Sequence, residues 1–319
     1  MAKTLLVDTS YLIFRSYFAY PDLTTKDQKT DQQVHVGAFF GFAKTILGLI
    51  KEIQPEVLIF ADDRPEPTWR HEVLDSYKAG RPPLEDKMRF QLPIIKQWAG
   101  SVTANYAAVP GFEADDIIKT YCEQFPDSKN YQTYIFSSDR DLYQLLTRED
   151  VCFIQIEKSN YQTKYFGARD FVEKYEIEPQ QWIDYKALVG DNSDNLKGVS
   201  GIGPKTATTI LQRIGKLEYL LDYLDTGNMN LAVQEFVNDS KNSKIIDKIR
   251  VERATLDQTK NLATLSHVPG INQAVPGFDF NLGIDQFQQY NFTSLIKQLG
   301  NFKAPVVQGQ NVESQDLLF

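Results

Sequence analysis

The chain contains few residues of the types that build disulfide frameworks or zinc sites. Its 319 residues include 2 cysteines, Cys122 and Cys152, and 3 histidines, without a CxxC pair. So few thiol and imidazole groups argue against both a disulfide framework and a zinc site. The sequence also lacks an apolar run of about 18 residues and a cleavable N-terminal signal. We therefore predict a soluble, cytoplasmic protein that does not bind a membrane.

The chain also has fewer basic than acidic residues. The 34 Lys and Arg residues stand against 42 Asp and Glu residues, which gives a net charge of −8. This charge argues against a general electrostatic attraction to nucleic acid, but it says nothing about local patches. The 42% of hydrophobic residues is typical of a folded globular chain, and the length predicts two domains.

Strand and helix patterns alternate in the first part of the chain and give way to helical patterns later. The strand patterns cover residues 3–8, 56–62, 132–139 and 151–157, and helical patterns lie between them at 34–53, 84–99 and 113–125. Only helical patterns follow, at 179–189, 203–214, 216–224, 229–237 and 240–253. We predict an α/β domain over 1–165 with a mostly parallel sheet flanked by helices, a helical domain over 166–302 and a flexible tail over 303–319.

Acidic residues cluster after the predicted strands and at two later turns. They are Asp8, Asp62, Asp63, Asp139 and Asp141 after strands, Glu113, Asp115 and Asp116 at a helix start, and Asp191 and Asp194 in GDNSDN. Any one pair is explained by the capping of helix or turn amides. Carboxyl ends of parallel strands share an edge, however, and so many like charges there repel unless cations neutralise them. All-oxygen ligands favour Mg²⁺ or Mn²⁺, and two such ions can activate water at a phosphodiester.

A glycine-rich segment, GVSGIGPKTA (198–207), follows the last acidic pair directly. Glycine lets the backbone approach a ligand closely, and amides at a helix N-terminus bind phosphate. A GxG pattern before a helix is a weak signal by itself, but its position after an acidic pair strengthens it. The candidate phosphate-binding residues are Lys197, Gly198, Gly201, Gly203 and Lys205.

Six segments together resemble the bacterial 5′-nuclease, or flap endonuclease, family, which includes the 5′-3′ exonuclease domain of DNA polymerase I and free-standing homologues. They are LLVDTSYLIFRSYFA (5–19), FADDRPEPTWRHE (60–72), SYKAGRPP (76–83), VPGFEADD (109–116), SSDRDLYQLL (137–146) and GDNSDNLKGVSGIGPKTA (190–207). Weaker likeness extends the match to about residues 3–302. The resemblance implies a PIN-like or Rossmann-like nuclease core, an arch over about 66–92 and a helix–hairpin–helix over about 190–214. Because no polymerase segment follows residue 302, we expect a free-standing nuclease.

The resemblance also implies ligands for two divalent ions, Mg²⁺ or Mn²⁺. One ion would be held by Asp8, Asp63, Glu113 and Asp115, the other by Asp139, Asp141, Asp191 and Asp194, while Asp116 would act in catalysis through a bridging water. The family usually reads Phe-Asp where this chain reads Phe60-Ala61-Asp62-Asp63. The spacing to Arg70 selects Asp63, whereas counting forward from the strand favours Asp62. We choose Asp63 and leave Asp62 as the alternative.

Five basic residues and a tyrosine cluster in the predicted arch: Arg70, Tyr77, Lys78, Arg81, Lys87 and Arg89. The resemblance implies that Lys78 and Arg81 contact the scissile phosphate and that Tyr77 stacks on a base. We also expect His71, beside Arg70, to lie near phosphate. The resemblance further implies a monovalent cation such as K⁺ at the hairpin. A second patch either follows duplex backbone or is a plain solvated face: Lys241, Lys244, Lys248 and Arg250. We expect His35 and His267 to be structural.

These observations predict a Mg²⁺-dependent 5′-3′ exonuclease and flap endonuclease of replication and repair. Its substrates would be DNA 5′ ends, 5′ flaps and primer–template junctions, with RNA–DNA primers as a further candidate. The alternatives are a PIN-like ribonuclease and a non-catalytic DNA-structure-binding scaffold. The C-terminal residues resemble the pentapeptide that binds the bacterial sliding clamp, with Gln315, Leu318 and Phe319 as anchors and Asp316 as a departure from the usual leucine.

Overall fold

The computed structural model describes residues 1–126, 128, 130–157 and 162–300, and the predicted tail anchors Gln315, Leu318 and Phe319 lie outside this range. Its strands are β1 (Ala2–Asp8), β2 (Thr24–Lys26), β3 (Gln33–His35), β4 (Val57–Ala61), β5 (Tyr106–Ala107), β6 (Tyr131–Phe136), β7 (Val151–Ile156), β8 (Thr163–Phe166), β9 (Gly190–Asp191) and β10 (Leu196–Lys197). Sequence periodicity located β1, β4, β6 and β7. It missed β5 and β8, which are short strands at the sheet edges.

The helices alternate with strands up to residue 166 and then follow one another. They are α1 (Thr9–Ala19), α2 (Gly37–Ile53), α3 (Trp69–Val73), α4 (Asp86–Arg89), α5 (Leu92–Val102), α6 (Ala114–Gln124), α7 (Ala168–Tyr175), α8 (Trp182–Val189), α9 (Pro204–Ile214), α10 (Leu217–Thr226), α11 (Leu231–Asn238), α12 (Ser243–Val251), α13 (Arg253–Ala263), α14 (Ile284–Gln289) and α15 (Thr293–Leu299). Among the described residues, no helix is long and apolar enough to cross a membrane.

The main sheet has the strand order β5-β4-β1-β6-β7-β8, and all neighbouring pairs are parallel except β7–β8. The mostly parallel sheet flanked by helices is therefore confirmed. Its central strand β1 is apolar on both faces, as expected for a strand covered by helices on both sides, and Leu5, Leu6 and Val7 are fully buried.

The strand order reverses at β1, and this reversal places the candidate site. The chain continues from β1 to β4 on one side and returns to β6 on the other. Asp8 pairs with Ala61 of β4, and Val7 pairs with Phe136 of β6. The segments that leave β4 and β6 therefore emerge beside Asp8. A crevice at such a reversal is where open α/β sheets bind ligands.

The two predicted domains share one hydrophobic core. Leu6 and Ile59 of the sheet belong to the same buried cluster as Trp182 of α8 and Leu211 of α9. The domain boundary at residues 165/166 therefore stays a prediction. It divides the sequence, but the buried apolar side chains on its two sides pack together.

The last helices pack against the sheet domain rather than extending the helical domain. Phe287 of α14 and Phe292, just before α15, lie 5.9 and 5.2 Å from the Phe39 ring of α2, centroid to centroid. Trp98 of α5 stacks on Phe287 at 5.5 Å and on Phe280 at 5.8 Å. The prediction of one helical domain over 166–302 therefore does not describe residues 278–299, whose aromatic side chains complete the core on the α2 side.

Truncation of Phe39 should destabilise the fold strongly. Phe39 is fully buried among these rings, so Phe39→Ala leaves a cavity and should lower the free energy of unfolding by about 3–5 kcal/mol. Urea titration followed by circular dichroism measures the loss. The control is Phe18→Ala, because Phe18 is 69% exposed and its removal leaves no cavity. Equal midpoints for the two variants would contradict the packing described above.

Candidate active site

The predicted carboxylates converge on one cavity at the carboxyl end of the sheet. Its volume is about 520 Å³. Segments after β1, β4 and β6, the start of α6 and the β9–β10 hairpin form its wall. The acidic lining residues are Asp8, Asp63, Glu113, Asp115, Asp139, Asp191 and Asp194. Of the eight acids predicted to hold metal, only Asp141 is absent from this lining.

Burial and like charge act together on the innermost carboxylates. Asp8 caps α1 by accepting from the Tyr11 amide at 2.9 Å, and it also accepts from the Ser137 hydroxyl at 2.7 Å. Burial, followed by the charges of Asp63 and Asp139, nevertheless raises the pKa of Asp8 to about 7. Burial and the neighbouring acids also raise the pKa of Asp115 well above its usual range. Both groups are therefore poised to accept either a proton or a cation.

Asp62 and Asp63 face different partners. Asp63 lines the cavity, and its Oδ1 accepts from the Ala114 amide at 2.9 Å. Asp62 is buried outside the cavity lining, with its carboxylate 2.7 Å from the Lys96 ammonium. This geometry favours Asp63 as the candidate ligand, in agreement with the spacing to Arg70.

Lys186 of α8 occupies a position between two of the predicted ligands. Its ammonium pairs with Asp141 and lies 2.8 Å from Asp191 Oδ2. Burial raises the pKa of Asp191, but Lys186 and the hydrogen bonds from Ser193 outweigh burial and bring it below the usual range. Asp141 therefore faces Lys186 rather than the cavity, which corrects its placement with the second group of ligands. Lys186 is not among the site residues predicted from sequence, although a lysine in the last helical turn before Gly190-Asp191 is a usable signal.

Two cations of the predicted arch reach the cavity. Lys78 has a left-handed backbone (φ 54°), and its ammonium lies 2.7 Å from Glu113 Oε1. Burial lowers the pKa of Lys78, but Glu113 and Asp194 raise it by more, so the ammonium stays charged. The Arg81 guanidinium lies 3.2 Å from Asp194 Oδ1, and its side chain is 57% exposed. Both side chains line the cavity, as a role at a phosphate requires.

Arg70 and Asp116, predicted to act on DNA and in catalysis, form a buried ion pair instead. The two Arg70 amino groups lie 2.7 and 2.9 Å from the two Asp116 carboxylate oxygens. Arg70 is 2% exposed, and it also donates to the Leu262 and Thr264 carbonyls near the end of α13. Neither side chain lines the cavity. Direct contact with DNA or with a catalytic water is therefore a wrong expectation for this pair, which fastens the arch to the helical region.

Tyr77 is likewise buried rather than available for stacking on a base. Its hydroxyl lies 3.1 Å from Glu113 Oε2 and 3.3 Å from Asp194 Oδ2. His71 accepts from the Thr68 amide through Nδ1 and packs edge-on against the Tyr77 ring. The stacking role of Tyr77 and the phosphate contact of His71 are corrected accordingly. Both residues hold the base of the arch.

The predicted hairpin lies between α8 and α9, and its glycines serve different purposes. A Cβ on Gly198 would lie 2.2 Å from the Val189 carbonyl carbon, so this glycine allows two backbones to pack closely. A Cβ on Gly203, at the start of α9, would meet nothing within 4 Å. The open space at Gly203, with the exposed Lys197 and Lys205 nearby in sequence, fits the approach of a phosphate backbone.

The second basic patch contacts the hairpin through Lys248, which lies beside Gly201. The Lys248 ammonium lies 2.4 Å from the place that a Cβ on Gly201 would take, and Glu252, one turn later, accepts from the Ser200 amide at 3.0 Å. Arg250 is paired with Asp247. The patch residues are all exposed: Lys241, Lys244, Lys248 and Arg250. Whether they bind DNA stays a prediction.

The chemistry of the cavity fits divalent cations, although its side chains are not closed around one. In the described part of the chain, no group of three or more His, Cys, Asp and Glu side chains is arranged to hold a metal ion as it stands. Amides, hydroxyls and the Lys78 ammonium engage the oxygens instead. The donor set is nonetheless all-carboxylate, and burial, followed by the charges of neighbouring acids, raises the pKa of Asp8 and of Asp115. Hard, oxygen-seeking ions neutralise such a set of acids.

Two family models match consecutive parts of the chain. The model described as 5′-3′ exonuclease, N-terminal resolvase-like domain, matches residues 3–176, and the one described as 5′-3′ exonuclease, C-terminal SAM fold, matches residues 177–278. The chain belongs to the 5′-3′ exonuclease family. The family resemblance inferred from the six motifs is therefore confirmed.

The curated relatives of this chain include both long and short proteins. The thermostable DNA polymerase I of Thermus thermophilus is 36% identical over 253 residues, which are 78% of this chain and 29% of that protein. The 5′-3′ exonuclease of Mycoplasmopsis pulmonis is 33% identical over 247 residues, which are 77% of this chain and 78% of that protein. The chain thus spans less than a third of the polymerase relative and over three-quarters of the exonuclease.

Solved structures share the fold of this chain at low sequence identity. The bacteriophage T5 D15 flap endonuclease, solved with DNA and metal ions, gives a TM-score of 0.60 at 20% identity over 94% of this chain and 97% of that chain. The catalytic core of Rad2 in complex with DNA substrate gives 0.58 at 15% identity over 93% and 92%. The nuclease core and the helical region therefore recur together as one architecture.

Loss of the Arg70 guanidinium should destabilise the fold. Arg70→Met leaves the buried Asp116 carboxylate unpaired and should lower the free energy of unfolding by about 3–5 kcal/mol. Arg70→Met combined with Asp116→Leu should recover much of this loss. The control, Arg64→Met, breaks an exposed pair with Glu66 and should leave the urea midpoint nearly unchanged. An Arg70→Met protein as stable as wild type would contradict the role of the pair.

Proposed function

We propose that the chain is a divalent-metal-dependent 5′-3′ exonuclease and 5′-flap endonuclease that hydrolyses DNA phosphodiesters and leaves 5′ phosphates. The observation that carries the proposal is the acidic cavity, which has Lys78 and Arg81 on the same wall. Carboxylates alone would repel a phosphodiester, whereas carboxylates with adjacent cations form a site for both a metal and a phosphate. Family membership and the structures of DNA-bound neighbours support this proposal.

The family resemblance divides the cavity acids into two groups that would hold Mg²⁺ or Mn²⁺. Asp8, Asp63, Glu113 and Asp115 form the first group, and Asp139, Asp191 and Asp194 form the second, with Asp141 turned to Lys186. Bound ions of this class supply Lewis acidity to the phosphoryl group. A monovalent cation such as K⁺ at the hairpin stays an implication of the family resemblance.

The other residues of the cavity would bind and orient the phosphate. The Lys78 ammonium and the Arg81 guanidinium are positioned to neutralise charge that develops on it. No protein nucleophile is required, and none is suitable among the thiols, because burial raises the pKa of Cys122 and of Cys152 to about 12. At neutral pH these thiols are uncharged and poorly nucleophilic. Lys197, Lys205 and the open backbone at Gly203 would hold the duplex.

The substrate class is tested with three labelled nucleic acids, each with Mg²⁺ and with excess EDTA. They are a DNA 5′ flap, its RNA-containing counterpart and a blunt duplex. We expect cleavage of the DNA flap with Mg²⁺ alone, and Asp139→Asn should abolish cleavage while the flap is still bound, because it removes one cavity charge. Asp285→Asn, in the remote helix α14, is the matched control.

Each alternative to the proposed nuclease predicts its own pattern in this assay. Preferred cleavage of the RNA substrate would favour the PIN-like ribonuclease and make RNA–DNA primers the main substrate. Binding of the flap without cleavage in Mg²⁺ or Mn²⁺ would favour the non-catalytic scaffold. Cleavage that persists in excess EDTA would refute the metal dependence.

The proposed cellular role is flap removal in the cytoplasm during replication and repair, with the sliding clamp as partner. The segment Gln315-Asp316-Leu317-Leu318-Phe319 carries the anchors of a clamp-binding pentapeptide, and a polar, glycine-containing stretch precedes it. Two apolar side chains can enter a preformed groove while the glutamine amide fixes the register of the segment. Such a tether would raise the nuclease concentration at primer–template junctions, where flaps arise.

Deletion of residues 315–319 should abolish clamp binding and leave cleavage of free flap DNA unchanged. The reason is that the deletion removes the anchors but touches no residue of the cavity. Binding is measured by surface plasmon resonance on immobilised clamp, and a Gln315→Ala, Phe319→Ala variant separates the anchors from tail length. Equal clamp affinity for the full-length and truncated proteins would remove the clamp proposal and leave the nuclease proposal intact.

A further inference from the structure

Asp62 is a buried carboxylate that the proposed chemistry does not use. Its side chain is 1% exposed, and it lies next to Asp63 at the end of β4. The Tyr106 hydroxyl donates to it at 2.5 Å, and the Asp63 amide donates at 2.9 Å. The Lys96 ammonium lies 2.7 Å away, and the Ser10 hydroxyl donates at 3.4 Å. Every one of these groups belongs to, or lies beside, the segment that presents Asp63.

Lys96 extends this network to the backbone of Asp63. Besides pairing with Asp62, its ammonium donates to the Asp63 carbonyl at 3.2 Å. The turn is therefore held at both the amide and the carbonyl of Asp63. The Asp63 carboxylate accepts from the Ala114 amide at the start of α6 and faces the cavity. With the backbone held at both ends and the carboxylate bonded to the Ala114 amide, the side chain is held toward the cavity.

The network also compensates the charge that Asp62 adds. A second carboxylate beside Asp63 would increase repulsion in a cavity that is already crowded with acids. Lys96 cancels this added charge, and Tyr106 supplies a further hydrogen bond to the buried anion. Asp62 is thus an additional acid, because the spacing to Arg70 selects Asp63. Lys96 and Tyr106 stabilise its buried carboxylate.

We propose that Asp62, Lys96 and Tyr106 are positioning residues that fix the direction of Asp63 into the cavity. None of them touches metal or DNA in this role; they act through the backbone and orientation of Asp63. The inference rests on the proposed function, because Asp63 is a candidate metal ligand there. Partners that orient a ligand in this way typically influence metal affinity by about 10–100-fold.

The test measures Mn²⁺ binding by the full-length chain from the electron paramagnetic resonance signal of free Mn²⁺. The decisive variant is Asp62→Leu with Lys96→Met, which removes one negative and one positive charge and keeps the side-chain volume similar. We expect Mn²⁺ affinity to fall about tenfold, while the urea midpoint stays equal or rises because a buried ion pair is replaced by apolar groups. A matched control, Arg253→Met with Asp257→Leu, removes an ion pair on α13 and should leave Mn²⁺ affinity unchanged.

Two single variants keep the test decisive if the double variant folds poorly. Tyr106→Phe removes only the hydroxyl and should weaken Mn²⁺ binding about threefold, the effect of one hydrogen bond. Lys96→Arg keeps the ion pair with Asp62, so its Mn²⁺ affinity should stay close to that of wild type. In flap cleavage, Tyr106→Phe should raise the Mg²⁺ concentration for half-maximal rate and leave the rate at saturating Mg²⁺ nearly unchanged.

The outcomes separate this inference from the proposed function. Wild-type Mn²⁺ affinity in both the double variant and Tyr106→Phe would overturn the positioning role, even if their stability changed. Failure of the wild-type chain to bind Mn²⁺ would contradict the proposed function and the inference together.

Discussion

The accumulation of negative charge at the end of β1 is the constraint to which the surrounding structure responds. Asp8 is buried there with other acids around it, and its pKa rises to about 7 as a result. Cations from distant segments form ion pairs with acids of this cavity. They are Lys78 and Arg81 of the arch and Lys186 of α8. These ion pairs join the arch to the start of α6 and to the β9–β10 hairpin, and α8 to β9, so the site and the tertiary fold depend on one another.

Arg70 shows how this electrostatic response also connects the two halves of the molecule. Its guanidinium neutralises Asp116 at the start of α6, and it donates to carbonyls at the end of α13. Gln144 makes a parallel connection, because it donates to the Ala263 carbonyl. The helical region is thus fastened beside the cavity by directional bonds. Apolar packing alone, which is not directional, would not fix the hairpin relative to the carboxylates.

The sequence predicted the sheet and the convergence of the acids, because both follow from local patterns. Apolar runs mark buried strands, and the carboxyl ends of parallel strands meet by geometry. The individual orientations of the acids could not be predicted in this way. Asp62 faces Lys96 and Tyr106, which are far from it along the chain, and Arg70 is buried by contacts with α13. Family motifs place these residues along the chain but do not tell where their side chains point. For this reason the motifs predict Arg70 and Tyr77 at the DNA.

The pairing of Lys78 with Glu113 makes metal and DNA binding interdependent in the proposed function. The Glu113 carboxylate accepts from the Tyr77 hydroxyl and lies within ion-pair distance of the Lys78 ammonium and the Arg70 guanidinium. A cation at Glu113 would compete with Lys78 for the carboxylate charge and would leave Lys78 freer to face a phosphate. Because such coupling is reciprocal, each ligand would raise the affinity for the other. The arch therefore contributes to the site through the charge it exchanges, as well as through the surface it presents to DNA.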